Sequence, residues 1–160
     1  FYFDRKKPLP EGHKNAIPCF SKRRKVMNAD INDIPKNKDR IDEWKVAVPT
    51  GYSLGSRRVT LPPHQFFVVP KGYITTETYN IVGSFKKKSE AENFRNFLAS
   101  NLARYLLGLR KVTQHIYQSQ WDWVPLLEVS ESWDDERLYK LFNITKEEQK
   151  HIEEKLEEWS

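Results

Sequence analysis

From Asp42 onward large apolar residues alternate with others in Trp44-Lys45-Val46-Ala47-Val48, and Pro49-Thr50-Gly51 then breaks the run. A period of two predicts a strand with one buried face, closed by a turn. The continuous apolar run Phe66-Phe67-Val68-Val69 predicts a second strand, and the β-branched and aromatic stretch from Tyr73 to Phe85 a third, with Pro70-Lys71-Gly72 as the turn between them. The period then changes. Ser89-Glu90-Ala91-Glu92 has the form of a capping box. Behind it Ala91, Phe94, Leu98, Leu102, Tyr105, Leu106 and Leu109 recur at spacings of three or four until Gly108 and Arg110-Lys111. That spacing predicts one long helix with a single apolar face. Ser132-Trp133-Asp134-Asp135 predicts a short helix with Leu138, Leu141 and Phe142. Thr145-Lys146-Glu147-Glu148 caps a third, acidic and mostly solvated, whose sparse apolar line is Ile152, Leu156 and Trp159. Residues 1–40, with Pro8, Pro10, Pro18 and Pro35 and few periodic apolar positions, read as extended segments and loops that build no core of their own. Strands followed by helices predict a mixed α/β (α+β) fold with short strands in the N-terminal and middle parts and helices in the C-terminal half. The 160 residues form one domain in three parts: a loop-rich basic segment 1–40, strands plus the main helix over 41–120, and an acidic helical tail 121–160.

Composition adds constraints. Aromatic residues make up 13% of the chain, which argues for a packed core. No run approaches the ~20 apolar residues of a membrane span and no leader pattern opens the chain, so the expected setting is cytoplasmic. Cys19 is the single cysteine, which rules out an internal disulfide and a cysteine-based zinc site. The chain begins Phe1-Tyr2-Phe3-Asp4 without Met, which predicts a piece of a longer protein. Charge divides sharply: residues 1–120 hold 22 basic and 10 acidic side chains, residues 121–160 hold 5 and 12. Such an asymmetry points to a polyanion-facing body with an acidic end directed elsewhere or shielding it, unless both runs simply solvate two surfaces.

Catalytic signatures are missing. The 6 glycines are scattered and open no phosphate-binding turn. His13, His64, His115 and His151 lie far apart in sequence, and Cys19 lacks a nucleophile's flanking pattern. The carboxylates of 122–158 read as helix-start and solvent-face charges, with a two-metal nuclease site as the alternative. No catalytic or metal-ligating residue is assigned. The basic side offers more. Lys22, Arg23, Arg24 and Lys25 form one run; Lys86, Lys87 and Lys88 precede the helix cap, where free amides already favour anions, although a solvated lysine turn reads equally well. Arg104 and Lys111, seven apart, share one side of the helix, away from much of its leucine face. Arg57 and Arg58 sit in the glycine-punctuated loop 51–58. Gln114 follows the helix, and Thr76 stands in the run Thr75-Thr76-Glu77-Thr78, which ordinary β-propensity also explains.

Several segments in series resemble one known region. They are Ile41 to Pro49, Tyr73 to Gly83, the helix from Ser89 with Arg110-Lys111-Val112-Thr113-Gln114, Trp123-Val124-Pro125, and Trp133 to Tyr139. Together they resemble, over about residues 40–155, the C-terminal target-recognition region of bacterial type II restriction-modification adenine DNA methyltransferases, especially those that fuse methylation with cleavage. The resemblance implies duplex DNA binding and sequence choice, with methyl transfer and base flipping performed by another part of the parent using S-adenosylmethionine, and Mg2+ where the parent also cleaves. The family's Asn-Pro-Pro-Tyr/Phe motif is absent, and Leu61-Pro62-Pro63-His64 supplies only its prolines. The glycine-rich cofactor motif is absent too.

Residues and resemblance lead to one expectation. Lys22, Arg23, Arg24, Lys25, Lys86, Lys87, Lys88, Arg104 and Lys111 hold phosphates, while Arg57, Arg58, Thr76 and Gln114 are candidates to reach base edges. The chain itself carries no cofactor, and its partners are double-stranded DNA and the methyltransferase or nuclease part of the parent. Three rivals remain: an RNA- or single-strand-binding module with Tyr52, Phe66 or Phe67 as stacking surfaces, a nuclease in its own right, and a free-standing protein-interaction domain.

Overall fold

A computed structural model describes residues 7–52, 60–110, 115–116 and 118–159. Two small sheets form in the N-terminal and middle parts and the helices lie mostly after them. The first sheet is a surprise of residues 1–40. Strands β1 (Ala16–Phe20) and β2 (Val26–Asp30) pair antiparallel from Ala16↔Asp30 to Phe20↔Val26. Ile17, Cys19, Ala29 and Ile34 are buried in a cluster with Ile74, which comes from β5 (Ile74–Thr75), a strand parallel to β1. The segment does build a core, but one completed by Ile74, which lies 40 positions beyond Ile34.

The second sheet has the order β4-β3-β6, with β3 (Trp44–Pro49) between β4 (Phe67–Val69) and β6 (Tyr79–Phe85), all antiparallel. The stretch from Tyr73 to Phe85 is therefore two strands rather than one. Thr76 to Tyr79 makes a turn, with the Tyr79 N–H donating to the Thr76 carbonyl at 3.1 Å, and sends the two halves into different sheets. Pro70-Lys71-Gly72 is a turn as expected, with Gly72 at φ +75°, but it joins strands of different sheets instead of closing a hairpin.

Both faces of the second sheet are covered. Val46, Val48, Val68 and Val82 pack toward the helices, while Ala47, Phe67, Val69, Tyr79 and Ile81 pack with Phe20 and Tyr73 from the first-sheet side. Helix α1 (Lys88–Leu98) lies across the valine face and α2 (Asn101–Arg110) follows it. The long helix expected from the leucine spacing is broken at Ala99 and Ser100, because a new N-terminus is capped there. The Ser100 hydroxyl accepts from Ala103 N–H at 3.2 Å, and Asp135 Oδ1 accepts from Asn101 and Leu102 N–H at 2.8 and 3.3 Å. α1 also starts earlier than Ser89. Lys87 is its cap, with Glu90 accepting the Lys87 backbone N–H at 3.3 Å, so Ser89 lies inside the first turn. α3 (Asp135–Leu141) is capped by Asp134, and α4 (Lys146–Glu158) by the reciprocal Thr145 and Glu148 pair expected from sequence. α4 buries Ile152 and Leu156, and the Trp159 ring stacks on Tyr105 at 5.7 Å, directly over Gly108, where any side chain would collide with it. Among the described residues no helix is long and apolar enough to cross a membrane.

Candidate nucleic-acid interface

The turn between β1 and β2 carries Lys22, Arg23, Arg24 and Lys25, all exposed. Arg23 and Arg24 both adopt left-handed backbone angles, with φ of 60° and 57°. Consecutive positive φ values are what a type I′ hairpin turn demands, and Asn-Gly is the usual solution. Two arginines there cost on the order of 1 kcal/mol each relative to glycine. The conformation is held from outside: Ser21 N–H and hydroxyl donate to the Lys25 carbonyl at 2.7 and 2.9 Å, and Tyr79 Oη accepts from Arg24 N–H at 3.0 Å.

The two arginines then diverge. Arg24 lays its guanidinium 4.4 Å from the centroid of Phe67 and donates through Nη2 to the His64 carbonyl. Beneath it Phe20, Phe67, Tyr73 and Tyr79 form an aromatic base, with Phe20 to Phe67 at 5.7 Å and Phe67 to Tyr79 at 5.0 Å. From the other side Arg95 of α1 donates Nε to the Phe66 carbonyl at 3.0 Å and Nη2 to the Pro63 carbonyl at 3.5 Å. The single helical turn Pro63–Gln65 is thus gripped between two arginines, with His64 exposed and the Gln65 amide nitrogen 3.1 Å from His64 Nε2. Lys22, Arg23, Lys25, His64, Gln65 and Arg95 form one neighbourhood. Its last three members are not signalled in the sequence, because Arg95 lies off the apolar line of its helix and His64 is isolated.

The other expected cations fall elsewhere. Lys86, Lys87 and Lys88 are exposed at the start of α1, where Lys87 faces Glu90 at 3.8 Å, Lys88 faces Glu92 at 3.1 Å, and Lys88 also sits 5.9 Å from the Trp44 ring. They follow Phe85 at one end of β6, whereas Tyr79, which holds the arginine turn, begins its other end, roughly 20 Å away at ~3.3 Å per residue. Arg104 is buried. Its Nε donates to the Leu61 carbonyl at 2.7 Å and its Nη1 to Asn101 Oδ1 at 3.4 Å, tying α2 to the segment that leads into β4; burial lowers its pKa against the pull of Asp135. It is not placed to meet a phosphate. Thr76 is buried with its hydroxyl donated to Thr78 Oγ1 at 2.9 Å, which removes it from the surface where bases are read. Phe66 and Phe67 are core residues, 1% and 8% exposed, and offer no stacking face. Arg57, Arg58, Lys111 and Gln114 lie outside the described residues. The chain re-enters the described structure at Thr60, and Leu61-Pro62 leads straight into the gripped turn.

Two further regions have different chemistry. An apolar groove of about 640 Å³ lies between β6, α1 and the segment 118–126, lined by Val82, Phe94, Phe97, Trp121 and Val124 with only the neutral polar groups of Thr50, Asn80 and Gln118. It holds no charge for a phosphate. Arg110, at the end of α2, is committed to the adjoining turn, donating to the Ser119 carbonyl at 3.1 Å and lying 5.0 Å from the Trp123 ring. Among the described residues no three His, Cys, Asp or Glu side chains gather as metal ligands. Compared with protein-family models, curated proteins and solved structures, the chain matches none.

Proposed function

We propose that this chain recognises duplex DNA, as the target-recognition part of a bacterial restriction-modification adenine methyltransferase whose catalytic groups, S-adenosylmethionine site and, where the parent cleaves, Mg2+ site lie in another part of the parent. The observation that carries the DNA-binding reading is the β1–β2 turn, where two arginines occupy the left-handed positions that glycine or asparagine fills more cheaply, between two exposed lysines. A turn that only reversed the chain would gain by losing them; one that meets phosphates gains from Lys22, Arg23 and Lys25 carried on a fixed backbone. The charge division of the chain and the segments resembling the methyltransferase family support the same reading. A cytoplasmic setting goes with it.

Titration of a fluorescent duplex of mixed sequence at increasing salt is the direct test. Binding is expected to weaken linearly in log Kd against log salt, and Lys22→Gln and Lys25→Gln each to reduce the slope by roughly 0.9 while weakening all sequences alike. Tighter binding to a matching single strand, or affinity indifferent to salt, overturns the proposal in favour of a single-strand or protein-binding module.

A further inference from the structure

Two arginines spend their donors on backbone carbonyls of the four-residue segment 63–66, Arg24 on His64 and Arg95 on Phe66 and Pro63. The turn is already stiff, since Pro62 and Pro63 fix their own φ angles and Gln65 N–H closes onto the Pro62 carbonyl at 2.9 Å. What the support holds is the backbone that carries two polar side chains, His64 and Gln65, beside the cationic turn. Lys22, Arg23 and Lys25 approach through Arg24, and Arg95 closes the other side.

We infer that Gln65 is a base-reading residue, held by its partner His64, and that Arg24 is a positioning residue for both rather than a phosphate contact. This rests on the duplex-DNA reading. Charges secure phosphates and carry no sequence information, whereas an amide presented beside them can read a base edge. Gln65 Nε2 lies 3.1 Å from the imidazole Nε2; in the tautomer that carries its proton on Nδ1 the ring accepts one amide N–H, and the amide oxygen and the second N–H remain. An oxygen acceptor beside an N–H donor is the pattern that matches adenine N6 and N7 in the major groove. Rigid support from behind is what such a contact requires, because an amide free to rotate pays for its orientation on binding. Arg24 supplies that support from the stack on Phe67 and the bond to the His64 carbonyl, and a lysine would keep its charge but has no planar fork to stack on the ring while it reaches the carbonyl.

The test is selection of bound duplexes from a random pool by the 160-residue chain, by Gln65→Ala and by Arg24→Lys, with a salt titration of each on one fixed duplex. Gln65 is half-buried at the surface, so its variant should fold, and circular dichroism checks both. The wild-type chain is expected to enrich a motif containing adenine. Gln65→Ala should lose that preference by roughly tenfold at one position while keeping its salt slope. Arg24→Lys should lose the same preference with the slope again unchanged, which a phosphate contact or a merely destabilised fold does not produce. Enrichment of the same motif to the same degree by Gln65→Ala overturns the inference and leaves DNA binding standing. So does duplex binding by the wild type with a normal salt slope but no enriched motif. A wild-type chain that binds no duplex at all overturns the DNA reading and this inference with it.

Discussion

Lys45 sits on β3 with 5% of its surface exposed, and its ammonium donates to the carbonyls of Arg40, Ile41 and Glu43 at 3.2, 3.0 and 2.7 Å. Burial pushes it from 10.5 down to about 8, with Glu43 and Asp42 pulling the other way. Cys19, fully buried on β1, moves oppositely: burial pushes its thiol from 9.0 up to about 11. The signs follow from which state holds the proton. Between about pH 8 and 10.5 the unfolded chain keeps the Lys45 proton that the folded chain releases, so stability rises with pH; between about 9 and 11 the folded chain keeps the Cys19 proton that the unfolded chain loses, so stability falls. The wild type is therefore expected to gain stability from pH 8 to 9 and then to level off. Cys19→Ala should continue rising to pH 10, and Lys45→Met should stay flat to pH 9 and fall beyond it, each slope at most about 1.4 kcal/mol per pH unit. Urea midpoints at half-unit steps check this. Nothing in the alternation Trp44 to Val48 reveals Lys45 as buried, since that pattern assigns it the solvent face. The face is covered because the first sheet packs there, and the first sheet was not legible.

At the scale of elements, the first sheet was hidden by its turn chemistry. Hairpins are read from Asn-Gly or Asp-Gly between alternating runs, and here Arg23-Arg24 holds the turn while Pro18 interrupts β1, so the segment reads as loop. The break between α1 and α2 was hidden for another reason. The apolar spacing runs through it without interruption, and the decisive cap, Asp135, comes from 34 residues beyond Asn101. Local signals did suffice where both partners are local, as with Thr145 and Glu148 at the start of α4. Asp135 should therefore matter more than its place on the rim of α3 suggests. Replacing it with Ala leaves Asn101 and Leu102 N–H without an acceptor in a half-buried position, at a cost of about 1–3 kcal/mol. Asp134→Ala, which removes the exposed cap of α3 alone, should cost ~1 kcal/mol. Denaturant midpoints of the two variants decide the order. Equal losses would mean that Asp135 acts only on its own helix.

The whole molecule is layered, and the layers set how its two charges can interact. The arginine turn and the first sheet lie on one face of the second sheet, α1 on the other, α2 follows α1, and α4 rests on α2 through Tyr105 and Trp159. Screening at physiological salt reduces interactions over ~8 Å, so the acidic face of α4 acts on the arginine turn only if it lies close to it. The sequence made the charge division plain but left open whether the acidic end shields the basic body or faces elsewhere. The packing favours facing elsewhere, because Ile152, Leu156 and Trp159 anchor α4 on α2 rather than on the first sheet, which carries the turn. The expected consequence is quantitative. Neutralising Glu153 and Glu157, both exposed on α4, as Glu153→Gln and Glu157→Gln should raise duplex affinity by no more than about twofold at 0.15 M salt and leave the salt slope unaltered. The same two charges removed from Lys22 and Lys25 should change both. A large gain from the α4 pair, accompanied by a steeper slope, would place the acidic helix against the bound duplex and make it a competitor for the arginine turn.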